Sequence, residues 1–329
     1  MLFVVVRFVL VPQFDGARTA LFSLGHISTP LLVLGLGLEL ASIASYSVLS
    51  RATLNPSGRP RYLTILRIDV ATQGVNNAVP GGGPTSTAVK YRMLTLAGTP
   101  AANAVTGTTV EIATSVLTLG GIFGIALAVS AAEVHGNPEY IVAGVVAGGV
   151  AVLSLIGVVL LSRRRERTLD FVRRASRWIP YLSPDVSVSF VGMVADQLAE
   201  YRSRRARFVV AVGLAAANWL LDVAALWVFL LAFGFSEDIR HLLVAYSLAC
   251  LVGLVPITPG GLGIIEGVLV PTIVGFGTPQ GIALLGVLTW RLAQYWLPMP
   301  LAVLAYASLK AGPLRRSTRE ETRERAPAG

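Results

Sequence analysis

Residues 255–267, VPITPGGLGIIEG, interrupt a hydrophobic region of the sequence with two prolines, four glycines and one carboxylate, Glu266. Proline removes a backbone donor and glycine lowers helix stability, so a continuous helix is expected to break here. Broken backbone at membrane depth is tolerated only where it is buried in protein or lines a cavity. An ionisable residue beside such a break indicates a functional site.

The composition places this break inside a membrane protein. Of the 329 residues, 54% are hydrophobic and 14% are charged, whereas soluble domains carry about 25% charged residues. Long apolar runs predict an all-α polytopic membrane protein with one membrane domain. The single cysteine, Cys250, lies in an apolar run, so we interpret it as a small packing residue and expect no disulfide framework.

Hydrophobic runs and breaks divide the chain into spans and hairpins. Residues 1–11 are apolar but make only half a span, whereas full spans are predicted at 30–50, 103–130, 140–161, 208–233 and 281–309. Two pairs of shorter helices flank Pro-Gly-rich tips, at 62–79 with 85–97 and at 241–255 with 264–276. Within the basic segment 163–207, apolar residues recur on one face at 186–201 and predict an amphipathic helix on the membrane surface.

The distribution of Lys and Arg predicts the orientation. If the segment 163–207 is cytoplasmic, all but four of the 27 basic residues lie on that side, the exceptions being Arg7, Arg18, Arg240 and Arg291. The C-terminal tail, 312–329, is then cytoplasmic, and its charge predicts disorder. Each helix pair must enter and leave on one face, which makes it a re-entrant hairpin.

The two halves of the membrane domain, 1–311, correspond in inverted order. A carboxylate precedes each tip, Glu39 before the first and Asp222 before the second. A charged residue follows each tip at nearly the same distance, since Glu111 follows Gly81 by 30 residues and Arg291 follows Gly260 by 31. The predicted halves are 1–135 and 205–311, linked by the cytoplasmic segment 162–207. Inverted repeats with broken helices in matching positions are typical of secondary transporters, whose site lies near the midplane.

The two tips are suited to a phosphate group. Glycines let successive backbone N–H groups face one point, where the following helix presents its N-terminal dipole. An alternative is that the glycines merely let helices pack closely. The candidate binding residues are Asn76, Asn77, Pro80, Gly81, Gly82, Thr258, Pro259, Gly260, Gly261, Gly263, Glu266 and Arg291.

Charged residues inside the spans need partners. A guanidinium in mid-span is costly, so Arg291 requires a carboxylate or a phosphate, and Glu266, Glu111 and Asp222 are the candidate internal partners. The pair could be purely structural or could open to receive an anionic headgroup.

Other polar residues in and beside the spans have two possible roles each. Glu39, Glu111 and Asp222 could relay protons or pair with neighbouring helices, and Asn76 and Asn77 are expected to satisfy backbone groups freed at the first break. Lys90 and Arg92 are expected to anchor at the headgroup level.

Signatures of enzymes are missing. The three histidines are scattered without metal-ligand spacing, and neither a phosphate-binding loop motif nor a nucleophile elbow occurs. We therefore expect no catalytic role, no metal and no cofactor, and we expect no nucleic-acid partner because the arginines serve as topology signals.

The second motif, Thr258 to Gly267, resembles the hallmark of the lysylphosphatidylglycerol synthase transmembrane-region family. Asn76-Asn77 with Pro80-Gly81-Gly82 is similar to that family's first motif, and Arg291 with Pro298 fits its last helix. In the multiple peptide resistance factor of bacteria, such a region flips aminoacylated phosphatidylglycerol and is joined to a synthetase. This chain ends soon after the last span, so the resemblance does not imply lipid aminoacylation.

These observations lead to a hypothesis with two rivals. The protein is expected to be a multi-pass protein of the bacterial plasma membrane that moves a phosphate-bearing lipid or lipid-linked headgroup between leaflets. The rivals are a carrier for a small anionic solute and a scaffold for a cell-envelope enzyme. Membrane lipids, such as an anionic phospholipid or a polyprenyl-phosphate species, are the expected partners, and a homo-oligomer or a cytoplasmic partner at 163–207 is possible.

Overall fold

A computed structural model describes residues 28–56, 58–79, 82–130, 170, 173–174, 205–255 and 258–313. All of the regular elements in these ranges are helical, which confirms the all-α prediction. Several predictions lie outside the described residues, namely the half-span 1–11, the span 140–161, the amphipathic helix 186–201, the tail from 314, and Pro80 and Gly81 at the first tip.

Among the described residues, three helices are long and apolar enough to cross a membrane. They are α1 (Thr29–Thr53), α4 (Ala101–Ser130) and α5 (Arg205–Ala232). At about 1.5 Å per residue, even the shortest of them exceeds the hydrocarbon thickness of about 30 Å. These helices correspond to the first, second and fourth full spans that the sequence predicts.

The two predicted breaks both occur. The first separates α2 (Tyr62–Ala78) from α3 (Gly82–Leu96), and the second separates α6 (Ile239–Gly253) from α7 (Ile264–Gly275), with a single 3₁₀ turn (Pro259–Gly261) between them. At the second break, Gly260, Gly261 and Gly263 have φ angles of 52°, 70° and 82°. These left-handed conformations are strained for side-chain-bearing residues, so glycine is what allows the chain to turn here.

The last predicted span is interrupted rather than uniform. Helix α8 (Gln280–Arg291) passes into a π-helical segment (Leu292–Trp296) and then into α9 (Pro298–Ala311). The amide of Leu297 donates to the carbonyl of Leu292 at 2.9 Å, which is the bond of a widened turn. Because such π segments occur frequently at functional sites, the position of this one directly after Arg291 is informative.

Close helix packing holds these elements around several apolar cores, of which two are the largest among the described residues. Helix α5 packs most extensively on α1, α2 on α9, and α4 on α6, while the 3₁₀ turn contacts both α2 and α3. The larger core contains Phe229, Tyr246 and Trp290, and the smaller one contains Ile65 and Leu94. Apolar side chains on the long helices and on α9 remain exposed, as expected of helices that face lipid, among them Val33, Leu34, Ile125, Val209, Val303 and Leu304.

Candidate functional site

The centre of the candidate site is an ion pair at the second break. Arg291 is 2% exposed, and its Nε donates to Glu266 Oε1 at 2.5 Å. The other carboxylate oxygen of Glu266 accepts from the backbone amide of Gly263 at 2.7 Å, at the start of α7. Of the three partners that the sequence offered for Arg291, the structure pairs it with Glu266.

Further groups hold the guanidinium on its remaining sides. Nη1 of Arg291 donates to Gln294 Oε1 at 2.9 Å, and Nη2 donates to the carbonyl of Gly260 at 3.2 Å. The rings of Trp290 and Tyr295 lie 5.6 Å and 5.1 Å from the guanidinium carbon, within the range of cation–π attraction. Sequence reasoning missed these three side chains, although Gln294 and Tyr295 follow Arg291 by three and four residues.

The first break reaches into this same place. Asn77 is buried, and its Nδ2 donates to the carbonyl of Tyr295 at 2.9 Å, while the Tyr295 hydroxyl donates to the carbonyl of Asn77 at 2.5 Å. Asn76 Nδ2 donates to Asn77 Oδ1 at 3.3 Å. A Cβ added to Gly260 would lie 2.9 Å from Asn77 Oδ1, which shows how closely the two tips approach. The Asn77 side chain thus satisfies a backbone group of the π segment in the other half, not one at its own break as expected.

Other predicted residues line the tips. Gly82 is buried, and a Cβ there would lie 2.2 Å from the carbonyl oxygen of Asn76. Pro259 and Gly261 lie in the 3₁₀ turn. The hydroxyl of Thr258, just before the turn, is buried and has no hydrogen-bond partner among the described residues. An unsatisfied buried hydroxyl is costly, so this atom is available to a ligand group.

Lys90 is not a headgroup-level anchor as the sequence predicted. It is 5% exposed and its Nζ lies 2.7 Å from Asp69 Oδ1 and 2.5 Å from Glu111 Oε1. Ser50 also donates to Asp69, at 3.3 Å. Glu111 is therefore the partner of Lys90 and not of Arg291. The prediction was wrong because polarity and spacing show that a lysine flanks a hairpin but not which way it points.

Asp222 makes a third buried polar cluster instead of pairing with Arg291. Its carboxylate accepts from the Tyr246 hydroxyl at 2.6 Å and from Trp290 Nε1 at 2.5 Å. Glu39 is buried on α1 and faces Asp222, because Ser42 and Asn218, one turn away on the same two helices, hydrogen-bond to each other. Trp290 therefore touches Asp222 through its indole nitrogen and Arg291 through its ring face.

A surface ion pair lies at the start of α6, apart from these clusters. Arg240 donates to Asp238 through Nε at 3.0 Å and through Nη2 at 2.6 Å. These bonds favour the carboxylate and lower the pKa of Asp238 to about 2. The pair is partly exposed, so it provides a comparison for the buried arginine.

Buried charges that converge on two helix breaks define the class of this molecule, an all-α membrane protein with a polar centre inside its membrane region. The chain belongs to the family described as the lysylphosphatidylglycerol synthase TM region, which matches residues 2–302. The family match covers a membrane region and brings no catalytic domain with it.

Relatives of this chain are also described as membrane proteins. The chain is 29% identical over 118 residues to a UPF0104 membrane protein of Methanothermobacter thermautotrophicus, covering 36% of this chain and 34% of that protein. It is 28% identical over 102 residues to a UPF0104 membrane protein of Methanocaldococcus jannaschii, covering 31% and 30%. It is 26% identical over 98 residues to the inner membrane protein YbhN of Escherichia coli, covering 30% of each. The aligned regions thus span about a third of the length of these relatives.

Proposed function

We propose that this protein moves a phosphate-bearing lipid, or a lipid-linked headgroup, from one leaflet of the membrane to the other. The observation that carries the proposal is the buried Arg291–Glu266 pair at the meeting point of the two breaks. In this mechanism, a headgroup phosphate displaces Glu266 from the guanidinium and accepts the hydrogen bond from Arg291 Nε in its place. Arginine binds carboxylate and phosphate with the same N–H donors, so a phosphate can take the place of the carboxylate.

Several groups beside Arg291 are suited to the same phosphate. Glu266, once displaced, also releases the amide of Gly263 at the start of α7, where the helix dipole favours an anion. The unpartnered hydroxyl of Thr258 lies before the same turn. Together they provide one charged donor, one backbone donor and one hydroxyl.

Exposed apolar residues beside the candidate site favour a lipid over a small solute as the ligand. On the π segment, Leu292 is 59% exposed and Trp296 is 50% exposed, and each directly follows a buried site residue, Arg291 and Tyr295. Leu254 and Val255, at the end of α6, are exposed as well. An apolar surface so close to a buried charge suits an acyl-chain ligand whose headgroup enters sideways.

Movement of one half against the other would expose the headgroup to each leaflet in turn. Corresponding helices of the two halves have corresponding partners, since α2 packs on α9 and α6 packs on α4. This correspondence supports the inverted repeat, which remains part of the proposal.

A flipping assay tests the proposal. Purified protein is reconstituted into vesicles of phosphatidylethanolamine and phosphatidylglycerol that contain a trace of fluorescent phosphatidylglycerol, and flipping is followed by chemical quenching of the outer leaflet. Removing a hydrogen-bonding charged group costs about 1.5–3 kcal/mol, so Arg291→Gln is expected to slow flipping at least about tenfold. Arg240→Gln, which removes a surface arginine, is expected to flip at the wild-type rate.

Folding is controlled separately, because removing one member of a buried ion pair destabilises a protein. The double variant Arg291→Gln with Glu266→Gln removes both charges and retains the fold better than either single variant. If the folded double variant flips lipid as fast as the wild type, Arg291 does not bind the headgroup. If the wild type takes up a soluble phosphate compound but flips no lipid, the protein is a carrier for a small anion.

A further inference from the structure

We propose that the carboxyl pair formed by Glu39 and Asp222 binds one proton, and that release and rebinding of this proton drive the transport step. The inference rests on the proposed function, which it extends by naming the coupling ion.

The pair lies where the two halves pack most extensively, between α1 and α5. Glu39 is 2% exposed and Asp222 is also buried. One turn away, Ser42 Oγ donates to the carbonyl of Asn218 at 3.0 Å, and Asn218 Nδ2 donates to the carbonyl of Ser42 at 3.1 Å. These bonds fix the register that brings the two carboxyl groups together.

Two neighbouring buried carboxyl groups need a proton between them. A carboxylate only accepts hydrogen bonds, so a bond between Glu39 and Asp222 forms only when one member of the pair carries a proton. Two adjacent carboxylates without it would repel each other in a medium of low dielectric constant.

The surrounding donors indicate which residue holds the proton. Asp222 accepts from the Tyr246 hydroxyl and from Trp290 Nε1, and such donors stabilise a charged carboxylate. Glu39 lacks this support, because its Oε2 is buried with no hydrogen-bond partner among the described residues. The proton therefore resides on Glu39, which donates it to Asp222.

The occupied oxygens of Asp222 also favour a proton over a metal cation. A metal cation of the alkaline earth type takes six or more oxygen ligands, whereas N–H and O–H donors already hold this carboxylate. The other ionisable groups that face the pair are Tyr246 and Cys250 on α6 and Arg291 on α8. Lys90 on α3 and Glu111 on α4 lie near α1 at Tyr46, which is seven residues beyond Glu39.

A chain of contacts links the proton to the headgroup site. Trp290 donates to Asp222 and lies beneath the guanidinium of Arg291, which binds Glu266. When Glu39 releases its proton, a second negative charge appears beside Asp222. The added charge attracts Arg291 away from its bound anion, and rebinding of one proton restores the original balance.

Infrared spectroscopy tests the proton site without any transported lipid. Purified wild-type protein at neutral pH is expected to show the carbonyl band of a protonated carboxylic acid, and part of this band is lost in Glu39→Gln. In Glu237→Gln, which removes another buried glutamate outside this pair, the Glu39 component remains. If Glu39→Gln leaves the band unchanged, no proton resides there and the inference is overturned.

Coupling is tested in the same vesicles as above, with and without an imposed pH gradient. In the wild type and in Glu237→Gln, the gradient is expected to change the rate of flipping. In Glu39→Gln, the ratio of the rates with and without the gradient is expected to fall to one. If Glu39→Gln fails to fold, Asp222→Asn replaces it and is expected to give the same ratio. An unchanged gradient response in folded Glu39→Gln and Asp222→Asn would refute the coupling. If the wild type flips no lipid although the Glu39 band is present, the proposed function fails and the proton site stands.

Discussion

Arg291 shows how much of a site a single costly residue can reveal. A guanidinium in mid-span needs a partner, and this requirement alone identified Glu266, the twelfth residue of the stretch 255–267, as a candidate. The same reasoning offered Glu111 and Asp222, which bind other groups. Because an unpaired buried charge is costly, the sequence predicts that it has a partner. Which partner it has depends on how each helix is rotated about its own axis, and a single sequence does not specify this rotation.

Lys90 belongs to a buried ion cluster that the sequence-based interpretation missed. Its two carboxylate partners, Asp69 and Glu111, come from different helices and are 21 residues away from it in either direction. Opposite charges within three predicted membrane segments were the signal that could have suggested this cluster. The sequence-based interpretation followed the common behaviour of lysines near span ends instead.

The buried position of Lys90 leads to a stability prediction. Lys90→Met leaves Asp69 and Glu111 as uncompensated buried charges, so it is expected to lower the free energy of unfolding by about 3–5 kcal/mol. Arg92→Met on the same helix alters an exposed side chain, so it is expected to change the free energy of unfolding by less than about 0.5 kcal/mol. Denaturant unfolding in detergent measures both, and equal effects of the two substitutions would contradict the ion cluster.

At the scale of the elements, the breaks were predictable and the π segment was not. The effect of proline or glycine on a helix comes from the residue itself and not from its packing, so the sequence alone shows where helices end. The π segment depends on how Leu292–Trp296 packs and on the bonds that Asn77 and Gln73 make to its carbonyls. Those partners lie more than 200 residues away, beyond the reach of a local pattern.

The first break allows a test with neighbouring glycines. Gly82→Ala places a Cβ 2.2 Å from the carbonyl oxygen of Asn76, a backbone atom that cannot easily move. We expect a loss of about 1–3 kcal/mol of stability and slower flipping. Gly83→Ala has open space at the same helix start and is expected to be neutral or slightly stabilising. Thermal unfolding and the flipping assay together distinguish the two, and a fully active, stable Gly82→Ala would show that this close approach is not required.

On the scale of the whole molecule, two of the contacts between the predicted halves involve residues of the candidate sites. Asn77 binds the π segment beside Arg291, and Glu39 meets Asp222 between α1 and α5. The sequence singled out Asn77, Glu39 and Asp222 independently, but not Tyr295, and no local pattern predicted either contact. The inverted repeat and the orientation in the membrane remain predictions, because helix packing alone does not show on which side of a membrane each end lies.

The central claim is that Arg291 binds a phosphate-bearing headgroup, and mass spectrometry of co-purified lipids tests it most directly. Wild-type protein, Arg291→Gln, the double variant with Glu266→Gln, and Arg240→Gln are purified from the same membranes. The account predicts one phospholipid or polyprenyl-phosphate species enriched in the wild type and in Arg240→Gln and lost from both Arg291 variants. Bulk membrane lipid in equal proportion in all four preparations would contradict the headgroup site.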